Sequence, residues 1–142
     1  MSQINCALCL DEGGELIARN DLFRLVYANE PDYPGFVRLI LNEHVSEMSD
    51  LSEQNQTRVM QAVFEIERIL REYMAPQKMN LATLGNMVPH VHWHIIPRYM
   101  DDACFPGSVW SEKVRKTDAL ILQERAKLAS QMDAALKKVC LE

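Results

Sequence analysis

Three of the four histidines in this chain, His90, His92 and His94, alternate with Val91, Trp93 and Ile95 in the run HVHWHIIPR. On an extended strand alternate side chains share a face and lie about 6.6 Å apart, so the spacing predicts one imidazole face and one apolar face. Imidazole nitrogens buried without partners cost on the order of 1 to 3 kcal/mol each, so a row of them points to chemistry rather than to core filling. Two chemistries fit. Neighbouring histidines can share a Zn²⁺ about 2.0 Å from each nitrogen, whereas the outer pair, roughly 13 Å apart along the strand, is too widely spaced. Alternatively, one imidazole attacks a phosphorus atom while its neighbours orient it and supply protons to the leaving group, and His92, flanked on both sides, is the natural nucleophile. The turn just before the run, with Gly85 and Asn86 in GNMVP, offers backbone and amide donors where charge would develop on a phosphate.

The cysteines suggest a second constellation. Cys6 and Cys9 are close together while Cys104 and Cys140 are far away, which is not the dense framework of a disulfide-stapled secreted domain. Reduced thiols or a metal-ligand pair fit better, and no βαβ pattern follows to suggest a redox motif. With 142 residues, 48% of them hydrophobic, the chain is expected to form a single domain, 1–142. A net charge of −5 argues against a nucleic-acid partner, and the charge of any anionic substrate must be met by local groups. Neither a leader-like start nor a membrane-length apolar run is visible, so the expectation is a soluble, cytoplasmic protein with no membrane partner.

Positioning the histidines requires a sheet. ELIAR and LFRLVYA read as two strands turning at Asn20 and Asp21, NEPDYPG as a loop, and FVRLIL (36–41) as a buried strand ending at Asn42, Glu43 and His44. From Ser49 to Met74 apolar residues recur at helical spacing behind the capping candidates Ser49, Asp50 and Ser52, and the helix must stop before Pro76. KMNLATL predicts a strand leading into the histidine run, and Thr117–Val139 a second, less regular helix. Trp93 is expected in the core, and Trp110 in the loop FPGSVW as an aromatic cover for a bound base or a partner subunit. The clusters EKVRK and KK read as solvated faces. The predicted class is α+β, a mainly antiparallel sheet of about five strands with one long helix packed on it and a C-terminal helix.

HVHWHII matches the His-x-His-x-His-x-x signature of the histidine triad (HIT) family, and the likeness extends further. NEPDYPGFVRLILNEHVSEMSDLS resembles that family's passage from a proline-rich loop through a strand to a histidine and a long helix. GNMVPH resembles its Gly-Gln-Ser/Thr-Val-x-His approach to the triad. The resemblance covers roughly residues 6 to 99, leaving 100–142 as a C-terminal extension of one HIT-like domain. It implies a homodimer and hydrolysis or nucleotidyl transfer at the α-phosphate of an adenosine-type nucleotide, a dinucleoside polyphosphate or a nucleoside phosphoramidate. By that resemblance His92 would carry a nucleotidyl-histidine intermediate, His94 would serve the phosphate oxygens or leaving group, and His90 would orient His92 or bind metal. Gly85 and Asn86, the latter where the family often has Gln, would bind phosphate. Met87 stands where a Ser or Thr hydroxyl is common, and Asn29 of YANE where a ribose-binding acid is expected. Cys6 and Cys9, with His44 and His90, match a structural Zn²⁺ site of bacterial members, and no organic cofactor is implied. The departure at Met87 keeps open a catalytically weak nucleotide-binding or scaffold protein. A metal-dependent hydrolase with an open site on His90 and His92 lacks a carboxylate to complete it.

Overall fold

The computed structural model describes residues 5–141. In chain order the elements are α1 (Ala7–Leu10), β1 (Glu15–Arg19), β2 (Phe23–Tyr27), β3 (Val37–Leu41), α2 (Glu53–Met74), β4 (Lys78–Ala82), β5 (His92–Arg98), α3 (Ala119–Ser130) and α4 (Asp133–Val139). The five strands form one sheet in the order β1-β2-β3-β5-β4, with every neighbouring pair antiparallel. That is the α+β class expected from the sequence. Among the described residues no helix is long and apolar enough to cross a membrane.

Local chemistry explains most of these elements. The β1-β2 hairpin turns where Asn20 Oδ1 accepts from the backbone N–H groups of Leu22 and Phe23, both at 2.8 Å. Helix α2 starts where Ser52 accepts from the Asn55 N–H at 3.2 Å, and it ends at Ala75, left-handed with φ 45°, one residue before Pro76. Its stripe of Val59, Ala62, Val63, Ile66, Leu70 and Met74 packs on Phe23, Leu25, Leu39 and Ile95 of the sheet. Each large member of that stripe contributes about 1.5 to 3 kcal/mol by leaving water. At the far end of α2 the loop before β3 needs Gly35, whose φ is 84° and whose added Cβ would lie 2.3 Å from Met74 Sδ.

The C-terminal region differs from the single helix expected over 117–139. It breaks at Gln131 and Met132 into α3 and α4. The apolar residues explain the break, because they do not share one stripe. Leu120 of α3 is 70% exposed and only Ala129 of that helix is buried, whereas Met132, Leu136 and Val139 enter the core. A straight helix could not seat that second set.

The sheet has two unlike faces. One meets α2 and holds Trp93, whose indole N–H reaches Met48 Sδ at 3.4 Å, as expected for a core residue. The other carries Arg24, Val26, Arg38, Ile40, His92, His94, Ile96 and Arg98, alternating with the first set along β2, β3 and β5. The N-terminal segment is strapped across it. Arg24 donates to the carbonyls of Leu8, Asp11 and Glu12 at 2.8, 3.0 and 2.9 Å, and Gly13 lies so close to Ile40 that a Cβ would sit 2.7 Å from its Cδ1. Arg98 ties down the chain beyond β5 by donating to Asp102, Asn80 and the Gly107 carbonyl at 2.9, 2.8 and 2.8 Å. Both ends of the face are covered, and the imidazoles lie between.

Candidate active site and metal-ligand cluster

Strand β5 begins at His92, not His90, and the three histidines accordingly divide between two sites. His92 and His94 share the open face, ring centroids 4.9 Å apart and near perpendicular. His92 Nδ1 lies 2.7 Å from the His90 carbonyl. A carbonyl only accepts, so Nδ1 carries the proton and the lone pair resides on Nε2. His90 therefore orients His92 with its backbone, while its imidazole turns the other way.

That imidazole is fully buried, and its Nε2–H donates to the Leu41 carbonyl at 2.7 Å, leaving Nδ1 free to bind. Nδ1 lies 3.5 Å from both Cys6 Sγ and Cys9 Sγ, and His44 Nδ1 lies 3.4 Å from Cys9 Sγ. All four ligand atoms fall within 4.8 Å of one another. The edges of a tetrahedron with Zn–S near 2.3 Å and Zn–N near 2.0 Å are about 3.5 Å for an S–N pair, so the donors have the identities, and these S–N pairs the spacing, of a Zn²⁺ site. One local turn and one long-range backbone bond bring them together. The single turn of α1 puts Cys6 and Cys9 on one side, and Val91 N–H donates to the Val45 carbonyl at 2.8 Å, aligning the His44 segment with His90.

Burial dominates the electrostatics of the pair on the open face. His92 is held below the usual imidazole range, chiefly by burial and further by Arg38, against the opposing pull of the His90 carbonyl. Burial, then His92 and Arg38, push His94 down to about 3. His94 therefore stays neutral when folded but takes a proton near 6.5 when unfolded, so below pH 6.5 the unfolded chain holds the extra proton and stability falls. The expected slope from His94 is a loss of about 1.4 kcal/mol per pH unit as pH drops from 6 toward 4. Urea midpoints measured across that range should show it, and His94→Gln should flatten the profile by that amount. Equal slopes in both proteins would remove His94 as the source.

Two further groups complete the face. Trp110, 50% exposed, folds back so that its ring centroid lies 4.8 Å from that of His94 in the same chain. Arg38, paired with His94 in the β3-β5 register, directs Nε toward His94 Nδ1 at 3.5 Å. Sequence reasoning missed Arg38. Its only signal was one charged residue inside the apolar run FVRLIL.

The other anticipated residues lie at greater remove. Gly85, with φ 75°, and Asn86 belong to the exposed loop leading to His90, tied beside the pair by the Thr83 hydroxyl donating to the His92 carbonyl at 2.8 Å. Neither Gly85 nor Asn86 bonds to an imidazole among the described residues, and Met87 is 95% exposed. Asn29 is left-handed with φ 57° and donates to Glu15 Oε1 at 3.2 Å. It lines a cavity of about 520 Å³ between the 29–36 loop and α3. None of the triad histidines lines that cavity, and Phe36, 5.7 Å from His94 between ring centroids, connects the two regions. The reactive groups, rather than the size of the cavity, mark the site.

The HIT domain family model matches residues 12–101. A Mycobacterium tuberculosis protein named AP-4-A phosphorylase is 29% identical over 128 residues, 82% of this chain and 66% of the relative. The Schizosaccharomyces pombe bis(5'-nucleosyl)-tetraphosphatase (asymmetrical) is 28% identical over 105 residues, 70% of this chain and 58% of the relative. The match thus spans 66% and 58% of the lengths of these two curated relatives. The crystal structure of a histidine triad protein from Marinobacter aquaeolei is 25% identical, covers 98% of each chain and superposes with a TM-score of 0.76. With the matched domain enclosing the sheet, α2 and all three triad histidines, the chain belongs to the histidine triad family.

Proposed function

We propose that this protein cleaves an adenosine-type nucleotide at its α-phosphate by hydrolysis or nucleotidyl transfer, through a nucleotidyl intermediate on His92. The observation that carries this reading is the 2.7 Å contact from His92 Nδ1 to the His90 carbonyl, which leaves Nε2 as an unprotonated nucleophile on an open face. Nε2 attacks phosphorus, forming an N–P bond as the bond to the leaving group breaks. His94, whose Nδ1 faces the Arg38 donor, keeps its proton on Nε2 and donates a hydrogen bond from it to the leaving-group oxygen, which departs as a phosphate anion. Attack by water, or by phosphate in a transfer reaction, then releases the nucleotide from His92.

Asn86, exposed and without a hydrogen-bond partner among the described residues, donates with the Gly85 backbone to the phosphate, and Asn29 takes the ribose. Cys6, Cys9, His44 and His90 would hold a Zn²⁺, and with four protein donors the ion would serve as a structural cross-link between the N-terminal strap and β5. The names of the M. tuberculosis and S. pombe relatives support a dinucleoside polyphosphate as the substrate class.

The direct test is intact mass after mixing the protein with a dinucleoside tetraphosphate and quenching at neutral pH, because an N–P bond to imidazole is acid-labile. A nucleotidyl adduct is expected. Turnover without an adduct would overturn the covalent route. Absence of both would favour the nucleotide-binding reading, which the missing hydroxyl at Met87 supports.

A further inference from the structure

Three arginines rise from the imidazole face of the sheet, and two of them are consumed by the fold. Arg24, 3% exposed, spends its donors on three N-terminal carbonyls, and Arg98, 2% exposed, on Asp102, Asn80 and Gly107. Arg38 is different. Its Nη1 donates to the Gly13 carbonyl at 3.0 Å, its Nε points at His94, and its Nη2 has no partner among the described residues. It also forms no ion pair there, although half-buried, with its guanidinium carbon 5.2 Å from the centre of the Phe36 ring. Burying a guanidinium is costly, the Glu30 carboxylate acts on it without forming an ion pair, and an anionic ligand in contact would offset more of that cost. In a chain of net charge −5, Arg38 brings a cation into direct contact with His94 of the triad.

We infer that Arg38 is a phosphate-binding residue of the site, its free Nη2 donating to a phosphoryl oxygen of the nucleotide bound over His92 while its Nε holds His94 in the Nε2–H tautomer. This inference rests on the nucleotidyl reading above and adds the source of its charge. The planar fork of Arg38 suits a phosphoryl group, and it lies on the β3 side of His94, opposite the loop that carries Asn86. It supplies a charged contact in a site whose approach loop has Met87 rather than a hydroxyl.

The experiment is calorimetric titration of AMP and of adenosine into the wild type, Arg38→Gln and Arg38→Lys, each checked for unchanged thermal midpoint. Arg38→Gln is expected to weaken AMP about 10- to 100-fold and to leave adenosine unchanged, with Arg38→Lys recovering part of the loss. A second readout is the ¹⁵N shift pattern of the His94 ring, which should move toward a mixed tautomer in Arg38→Gln. AMP binding unaffected by Arg38→Gln, or AMP and adenosine weakened equally, would overturn the assignment of Arg38 alone. Failure of the wild type to bind AMP would overturn the nucleotidyl reading and this one together.

Discussion

His92→Ala is expected to lower turnover of a dinucleoside tetraphosphate by at least about 10⁴-fold, equivalent to about 5 kcal/mol of transition-state stabilisation. The substitution removes the open-face imidazole whose free nitrogen the backbone sets up for the proposed attack, since His94 has its Nδ1 facing Arg38 and its Nε2 protonated, and His90 turns its free nitrogen to the thiols. Ground-state binding should change little, because the contacts assigned to phosphate and ribose come from Arg38, Asn86 and Asn29. The measurement is kcat by product formation alongside AMP affinity by calorimetry. A kcat loss smaller than tenfold would hand the attack to water and return His92 to a binding role. A parallel collapse of AMP affinity would show that His92 acts on the ground state instead.

The second large effect concerns stability. Purified protein should contain about one zinc per chain, and Cys9→Ser or prolonged chelation should lower its thermal midpoint by about 10 °C or more. Cys9 is the donor that meets both His44 and His90. Losing it opens the link between α1, the segment after β3 and the start of β5. A loss of about 3 kcal/mol is modest for a structural zinc site, and at this chain length each kcal/mol moves the midpoint by roughly 3 to 5 °C. Elemental analysis and scanning fluorimetry read the two quantities. Wild type purified without zinc, with a midpoint that chelation leaves unchanged, would make the cluster a set of thiols and imidazoles packed without an ion.

Much of this molecule was legible from local pattern. The helical recurrence from Val59 to Met74, the Asn20 turn and the apolar run of β3 each record a preference that neighbouring residues decide among themselves, and the structure keeps all three. The alternation of His90, His92 and His94 likewise singled out the residues of the proposed site, and Cys6, Cys9 and His44 those that gather with His90 in the second cluster. Strand alternation nonetheless assigned the three imidazoles to one face, whereas His90 lies before β5 and turns to meet the Leu41 carbonyl and two thiols. Its orientation depends on partners 49 and 84 positions away, which no local period encodes. The break between α3 and α4 follows from where the core has room for Met132 and Leu136. Trp110 reaches His94 because Arg98 draws Asp102 and Gly107 back over the sheet.

By itself, then, the sequence determined the residue types able to attack a phosphate or bind a metal, and the strands and the long helix that carry them, since those rest on short-range periodicity and capping. Only the tertiary structure decided which histidine serves which site, and that Arg38 stands beside His94 with a free donor. Those outcomes depend on strand register and on hydrogen bonds between segments far apart in the chain, where geometry rather than local propensity selects the partner.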